Sequence, residues 1–293
     1  MSIESVTREL LVRYLEFWAP RAMRRGRRAT VALAADRPDP ELVGAALRVF
    51  DEFADRLRGE LAVVLAGPGA EALRDGSAGA GTPAGMLVHA VEGPVAGALP
   101  AALRAIRTAG SPLLVFAETD EDLPLPDLAA GRPAELLASV PPGGWADLRS
   151  GLGGAGFPLT AGVELVAGGH SRLLAFGTGL GRDLEAFKDE LWAVDEYAGV
   201  RYRDPADPQA HLLDISLTPH PGPLGRELVS HLASAGPCTV TRLREVTLTG
   251  TVYRAQDTVR VLGNLLNAGT VTRDPGHGRL GGDVRIALAG QKE

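Results

Sequence analysis

The chain has 293 residues, 45% hydrophobic and 23% charged, an ordinary globular composition with enough apolar surface for one or two cores. This excludes wholesale disorder, a collagen-like fibre and a disulfide scaffold, and no apolar run reaches the roughly 18 residues that would cross a bilayer. The formal net charge of −6 argues against indiscriminate nucleic-acid binding, yet residues 222–293 carry nine Arg and Lys against six Asp and Glu, so the first 221 residues stand at −9. Such a split fits two domains with different partners.

Ile3, Val6, Leu10, Tyr14 and Phe17 recur at spacings of three and four and predict an amphipathic helix ending near Pro20. Acids at Glu4, Glu9 and Glu16 break what a signal peptide would need as its apolar core, and the lone Cys238 can form no internal disulfide. A reduced, cytoplasmic address is the expectation. Residues 21–28 hold five Arg in eight, readable as a phosphate contact or as an exposed turn in a chain whose GC-rich coding prefers Arg. Thr30–Ala35 suits a buried strand, and Asp39-Pro40 gives a cap and first position for a helix running to about Gly59. Leu61–Ala66 and Met86–Val91 are further strands, Val95–Ala109 a helix, and Leu113–Phe116 and Ala134–Val140 strands again. This alternation predicts an α/β, Rossmann-like, mostly parallel sheet covered on both faces. Val163–Val166 and Arg172–Phe176, separated by too few residues for a crossover helix, predict a late antiparallel hairpin.

The first domain is expected to span residues 1–205, with a Pro-rich linker at 206–223 that includes Pro208, Pro219, Pro221 and Pro223. From 224 to 293 the pattern is helix (Leu224–Ala233), short Thr-capped helix (Thr239–Val246), longer helix (Ala255–Asn267) and two strands about Asp274-Pro-Gly-His-Gly278, the order of a winged helix-turn-helix.

Candidate sites are few. Gly67-Pro68-Gly69 follows a strand and opens a helix, where a backbone turn can approach a nucleotide-type cofactor, and Glu92 after the next strand could hold ribose hydroxyls; the third glycine of such a motif is missing, which favours a plain strand-to-helix turn. Glu118, Asp120, Glu121 and Asp122 at a strand's carboxyl end could bind a divalent cation, act as acid and base, or form a solvated acidic loop, with no His near them in sequence. The six histidines show no metal-ligand spacing, and no G-x-S-x-G or Ser/His/Asp signature is present. In the winged helix, Arg242, Arg244, Arg254, Arg260, Arg273 and Arg279 could grip nucleic acid, but the third helix is weakly basic, and a protein contact fits as well.

Residues 173–195 carry a more specific signal: a strand ending in small residues and Thr178, then a helix with Leu184, Glu185, Lys188 and Trp192, closed by Val194-Asp195. This segment resembles the three-Cys-motif partner proteins, with Asp183 standing where that family usually has Gly, and Thr239–Arg244 with Leu248–Arg254 resembles the winged helix that ends them. The resemblance implies a class I methyltransferase-like sheet joined to a winged helix, in a bacterial cytoplasm, associated with a three-Cys-motif protein. It also implies an S-adenosylmethionine cradle, and here the chain departs from the pattern. The turn after the first strand, Ala34-Ala-Asp-Arg-Pro-Asp-Pro40, has no glycine; the acid expected after the second falls at Gly67-Pro68; and the fourth is followed by Glu118-Thr-Asp-Glu121. The expectation is therefore a non-catalytic, degenerate methyltransferase-like accessory or regulatory factor with no catalytic residues, no metal and no cofactor. It would contact nucleic acid or a protein through the winged helix and could form a homodimer. The rival is an S-adenosylmethionine-dependent methyltransferase with its cofactor shifted onto Gly67, Gly69 and Glu92.

Overall fold

The computed structural model describes residues 2–25, 28–37, 39–53, 60–78, 86–194, 200–213 and 222–290. Arg27, Pro38, the stretch expected to carry a helix on to Gly59, Asp195, Pro219 and Pro221 lie outside them. The chain divides into two compact units, Met1–Leu213 and Asp214–Glu293.

In the first unit α1 (Ile3–Arg25) leads into β1 (Arg28–Ala35), α2 (Pro40–Glu52), β2 (Glu60–Ala66), α3 (Ala70–Ala78), β3 (Met86–Val91) and α4 (Val95–Ala105). β4 (Leu113–Glu118), α5 (Leu125–Leu128), β5 (Ala134–Val140), α6 (Trp145–Ala155), β6 (Leu159–Ala167), β7 (His170–Thr178), α7 (Gly181–Ala193), β8 (Arg201–Arg203) and β9 (Leu212–Leu213) follow. The strands form one sheet in the order β3-β2-β1-β4-β5-β7-β6-β8-β9. The first five are parallel, and β7 reverses against β5. This is the Rossmann-like α/β architecture with a late antiparallel hairpin. Its central strands read as unbroken apolar runs because helices cover both faces. One core packs Ala32, Val64, Val115, Leu136 and Ala175 with Leu99, Leu103, Trp145 and Leu152. On the other face Phe176 stacks on Phe187 of α7, their ring centroids 4.3 Å apart, and Tyr14 of α1 meets Phe176 edge-on.

Three local expectations change. α1 continues through Pro20 to Arg25, because buried Trp18, Ala19 and Ala22 on either side hold the helix against the proline's lost hydrogen bond. Most of the Arg-rich run is therefore the last turns of α1, where Arg24 and Arg25 face the negative end of the helix dipole. The β6–β7 connection tightens to Gly168-Gly169, both at positive φ, which lets each strand grow to nine residues. β8, at the tail of the expected first domain, and β9, inside the expected linker, extend the sheet beyond β6, anchored by fully buried Tyr202.

The second unit runs α8 (Gly222–Ala235), β10 (Cys238–Thr239), α9 (Val240–Gly250), α10 (Asp257–Asn267), β11 (Val271–Asp274) and β12 (Arg285–Leu288). Its strands form an antiparallel sheet ordered β10-β12-β11, completing a winged helix around Leu228, Leu232, Leu243, Val261, Leu262 and Ile286. Thr239 caps α9, accepting from the Arg242 amide at 3.2 Å.

Candidate functional site

In the order β3-β2-β1-β4-β5 the connections reverse direction between β1 and β4, so the crevice above their carboxyl ends is where an open α/β sheet holds a ligand. The expected cofactor residues do converge on this edge. Gly69 N donates to Glu92 Oε2 at 2.9 Å, and Glu71 N donates to Oε1 at 2.8 Å. Glu92 thus occupies the free amides at the start of α3, the position an anionic ligand would take. Gly67, at φ +134°, packs so closely on β1 that a Cβ would lie 2.1 Å from Ala35 O. Between these turns and Leu42, Val43, Leu65 and Phe116 remains a cavity of about 20 Å³, room for roughly one water.

A larger, polar pocket of about 290 Å³ opens beside it, walled by Glu4 and Thr7 of α1, Asp36 and Arg37 after β1, Glu118–Asp120 ending β4, Ser139 of β5 and His170–Arg172 opening β7. The loops after β1 and β4 are stitched together: Thr119 Oγ1 and Asp120 N donate to Asp36 Oδ2 at 2.6 and 2.9 Å, and Asp36 N donates to Glu118 O at 3.0 Å. Arg172 binds across three strand ends, donating to Ser139 O at 2.7 Å, to Thr119 O at 3.2 Å and to the Asp120 carboxylate. That guanidinium holds Asp120 below the usual carboxylate range. Burial pushes Glu118 up, against the pull of Arg172. The Ser2 hydroxyl holds Glu4 down. Thr7 is 1% exposed, and its Oγ1 has no hydrogen-bond partner.

Sequence reading finds Glu118–Asp122 but misses their company. The β6–β7 hairpin brings His170 and Arg172 to this edge from fifty residues away, and α1 brings Glu4 and Thr7. A usable signal exists in Asp36 and Glu118, acids that end apolar strands of a parallel sheet. Among the described residues no group of three His, Cys, Asp or Glu is placed to hold a metal.

The resemblance-bearing residues in and just after α7 are largely interior: Leu184, Lys188, Trp192 and Val194 are buried. Asp183 is buried too, facing Arg21 at 3.6 Å, and interacts with Glu135 of β5. Glu135, which accepts from the Tyr14 hydroxyl, is pushed up to about 8 by burial, and burial raises Asp183 as well.

In the winged helix the six arginines separate. Arg254 is 6% exposed and locked onto Asp257, Nε to Oδ2 at 3.1 Å and Nη2 to Oδ1 at 3.0 Å, so it does not present its charge to a partner. Arg273 folds back onto the wing, donating to the carbonyls of Pro275, His277, Gly278 and Arg279. Arg260 lies 3.8 Å from Asp257, and Arg242 pairs with Glu245 on the surface of α9. Arg244 and Arg279 are exposed. Gln256 before α10 and Val259, Asn264 and Asn267 on it are exposed, Val259 at 36%, while Val261 and Leu262 pack inward.

Compared with known proteins, the chain matches no family model, and no curated protein matches it in sequence.

Proposed function

We propose that the protein is a non-catalytic accessory factor: a methyltransferase-like α/β unit serving as scaffold, with a winged helix that contacts a protein partner. The observation that carries the reading is the crevice at the ends of β1 and β2, filled by the Gly67 turn and with its helix amides already taken by Glu92. A cofactor placed there would have to displace backbone from backbone. The parallel sheet with its late reversed hairpin is what the family resemblance implies, and the interior placement of Leu184 and Trp192 accounts for their presence by packing alone. A three-Cys-motif protein is the partner implied by that resemblance, the address implied is a bacterial cytoplasm, and self-association of the chain belongs to the same reading.

A protein partner fits the second unit better than a phosphate backbone does, because Arg254 and Arg273 are engaged internally and Arg260, the one basic residue of α10, stands beside Asp257. Exposed Arg244 and Arg279 favour nucleic acid as the second reading. Fluorescence anisotropy with duplex DNA and with RNA separates the two. The expected outcome is weak, non-specific association at about 10⁻⁴–10⁻⁶ M; sequence-selective nanomolar binding would establish the nucleic-acid reading instead.

Calorimetric titration with S-adenosylmethionine tests the scaffold. No saturable heat is expected up to about 1 mM, a weak −4 kcal/mol. Micromolar binding abolished by Glu92→Gln would restore the methyltransferase with Gly67, Gly69 and Glu92 as its cradle. Gly67→Val cannot serve here, since its side chain would strike Ala35 O whether or not a ligand binds.

A further inference from the structure

We infer that the apolar groove between α8 and α10 is a binding site for an amphiphilic carboxylate, a carboxyl head on an aliphatic tail. The inference goes beyond the accessory-factor reading: it concerns a small ligand of the second unit alone.

The groove forms where two helix faces meet without closing. α8 packs Leu224, Leu228 and Leu232 inward, and α10 packs Val261 and Leu262. Where the helices approach, α8 offers only Gly225; a Cβ there would lie 3.7 Å from both Leu265 Cδ2 and Val261 Cγ1. The hollow that remains holds about 530 Å³, within the roughly 300–1,000 Å³ of small-molecule sites. Val229 and Leu265 are only half-buried along it, Ala268 is exposed, and the surface it presents is almost all carbon. Carbon left open to water in this way favours an apolar occupant.

The charge of the groove says what else the occupant carries. Arg226 is the one charged residue that lines it, and no carboxylate stands with it there. Arg226 is exposed and, among the described residues, makes no ion pair or hydrogen bond. Gly222 and Gly225, from the start of α8, line the groove beside it; the first turn of that helix holds no acid, so the positive end of its dipole adds to the Arg226 charge. Two positive sources thus stand together at one end of α8, next to a floor of Val229, Val261 and Leu265. A ligand that answers both features joins an anion to a hydrocarbon. A carboxylate suits the guanidinium, whose planar fork pairs with both oxygens at once. A phosphate polymer would find a single arginine here, and a cation would find no opposite charge.

Ser230, Asn264 and Thr270 complete the rim with neutral polar groups, which leave the sign of the site unchanged.

The test is calorimetric titration of the intact protein with dodecanoate below its micellar concentration, beside dodecyltrimethylammonium, which has the same tail and the opposite head. Dodecanoate is expected to saturate with a Kd below about 100 µM, and the cation to bind about tenfold more weakly or less, since it meets a like charge. Arg226→Glu should reverse that preference, and Ser230→Trp, whose ring would fill the groove, should block both amphiphiles. Both positions are exposed, so each variant should keep its thermal midpoint without ligand. Failure of dodecanoate to saturate, equal binding of the two amphiphiles, an unchanged preference in Arg226→Glu, or binding that survives Ser230→Trp would overturn the inference. Two other occupants would overturn it as well. A dimer that Ser230→Trp dissociates in sedimentation velocity, with no ligand present, assigns the groove to a second copy of the chain. An amphipathic helical peptide of Leu and Glu that saturates the groove where dodecanoate does not assigns it to a partner helix.

Discussion

A Cβ on Gly67 would meet Ala35 O at 2.1 Å, and the residue's φ of +134° is closed to ordinary side chains. Gly67→Ala therefore sets backbone against backbone, and it should cost about 3 kcal/mol or more, combining strain with overpacking. Glu92→Gln, which weakens only the cap on α3, should cost about 1 kcal/mol; urea unfolding of the two variants measures the contrast. The glycine turn was legible in the sequence, as was its place between a strand and a helix. What it packs against was not, because a close approach to a ligand and a close approach to a neighbouring strand ask for the same residue. The Glu135 carboxyl adds a pH dependence that no sequence pattern announces. Its pKa is raised in the folded protein from 4.5 to about 8, so the native state holds a proton that the unfolded chain gives up. The associated stability is complete below about pH 4.5 and is lost as pH rises toward 8, and Asp183, also raised, acts with the same sign. Denaturant midpoints measured from pH 5 to 8.5 should fall more steeply for the natural protein than for Glu135→Gln, which keeps an acceptor for Tyr14 without the titration.

At the level of elements, long apolar runs such as Leu61–Ala66 and Ala134–Val140 announced their strands because parallel strands are buried on both faces. The Asp39-Pro40 cap announced α2 for an equally local reason, its carboxylate accepting from Glu41 N and Leu42 N at 2.9 and 3.0 Å. Local pattern fails where tertiary packing overrides a breaker, as at Pro20, or where a strand is too short to show a period, as in Arg201–Arg203. The Arg-rich run belongs here too. Read linearly it is a basic patch; on the helix Arg21 lies 4.4 Å over the Phe17 ring and reaches Asp183, while Arg28 pairs with Glu60 at 3.2 Å. The pocket wall was the least legible part, since α1, β1, β4, β5 and β7 all contribute to it and Arg172 joins the last three. Arg172→Ala should destabilise by about 2 kcal/mol, leaving two carbonyls and a carboxylate without their donor. Arg172→Lys should recover less than half of that, because one ammonium cannot span Asp120, Thr119 and Ser139 as a planar fork does. Urea midpoints of the pair decide it.

For the whole molecule, the sheet ends in two edges of different character. β9 is two residues long, a blunt edge that offers little to pair with. β3 is six residues long, and Leu87 on it is 53% exposed, against 56% for Leu212 on β9. A second copy meeting β3 along the side left unpaired among the described residues would form a two-fold interface, adding backbone hydrogen bonds and covering Leu87 at once. The composition permits this on balance: the net charge of −6 is modest for 293 residues, so repulsion between copies is weak at ordinary ionic strength. Sedimentation velocity over a hundredfold range of concentration should thus show a monomer–dimer equilibrium. Leu87→Lys, placing a charge where the two copies meet, should shift it to monomer, whereas Leu212→Lys, equally exposed but on an edge too short to template a strand, should leave it unchanged. A chain that stays monomeric throughout, or one whose dimer tolerates Leu87→Lys, would remove β3 as the interface and direct the search for self-association to the winged helix.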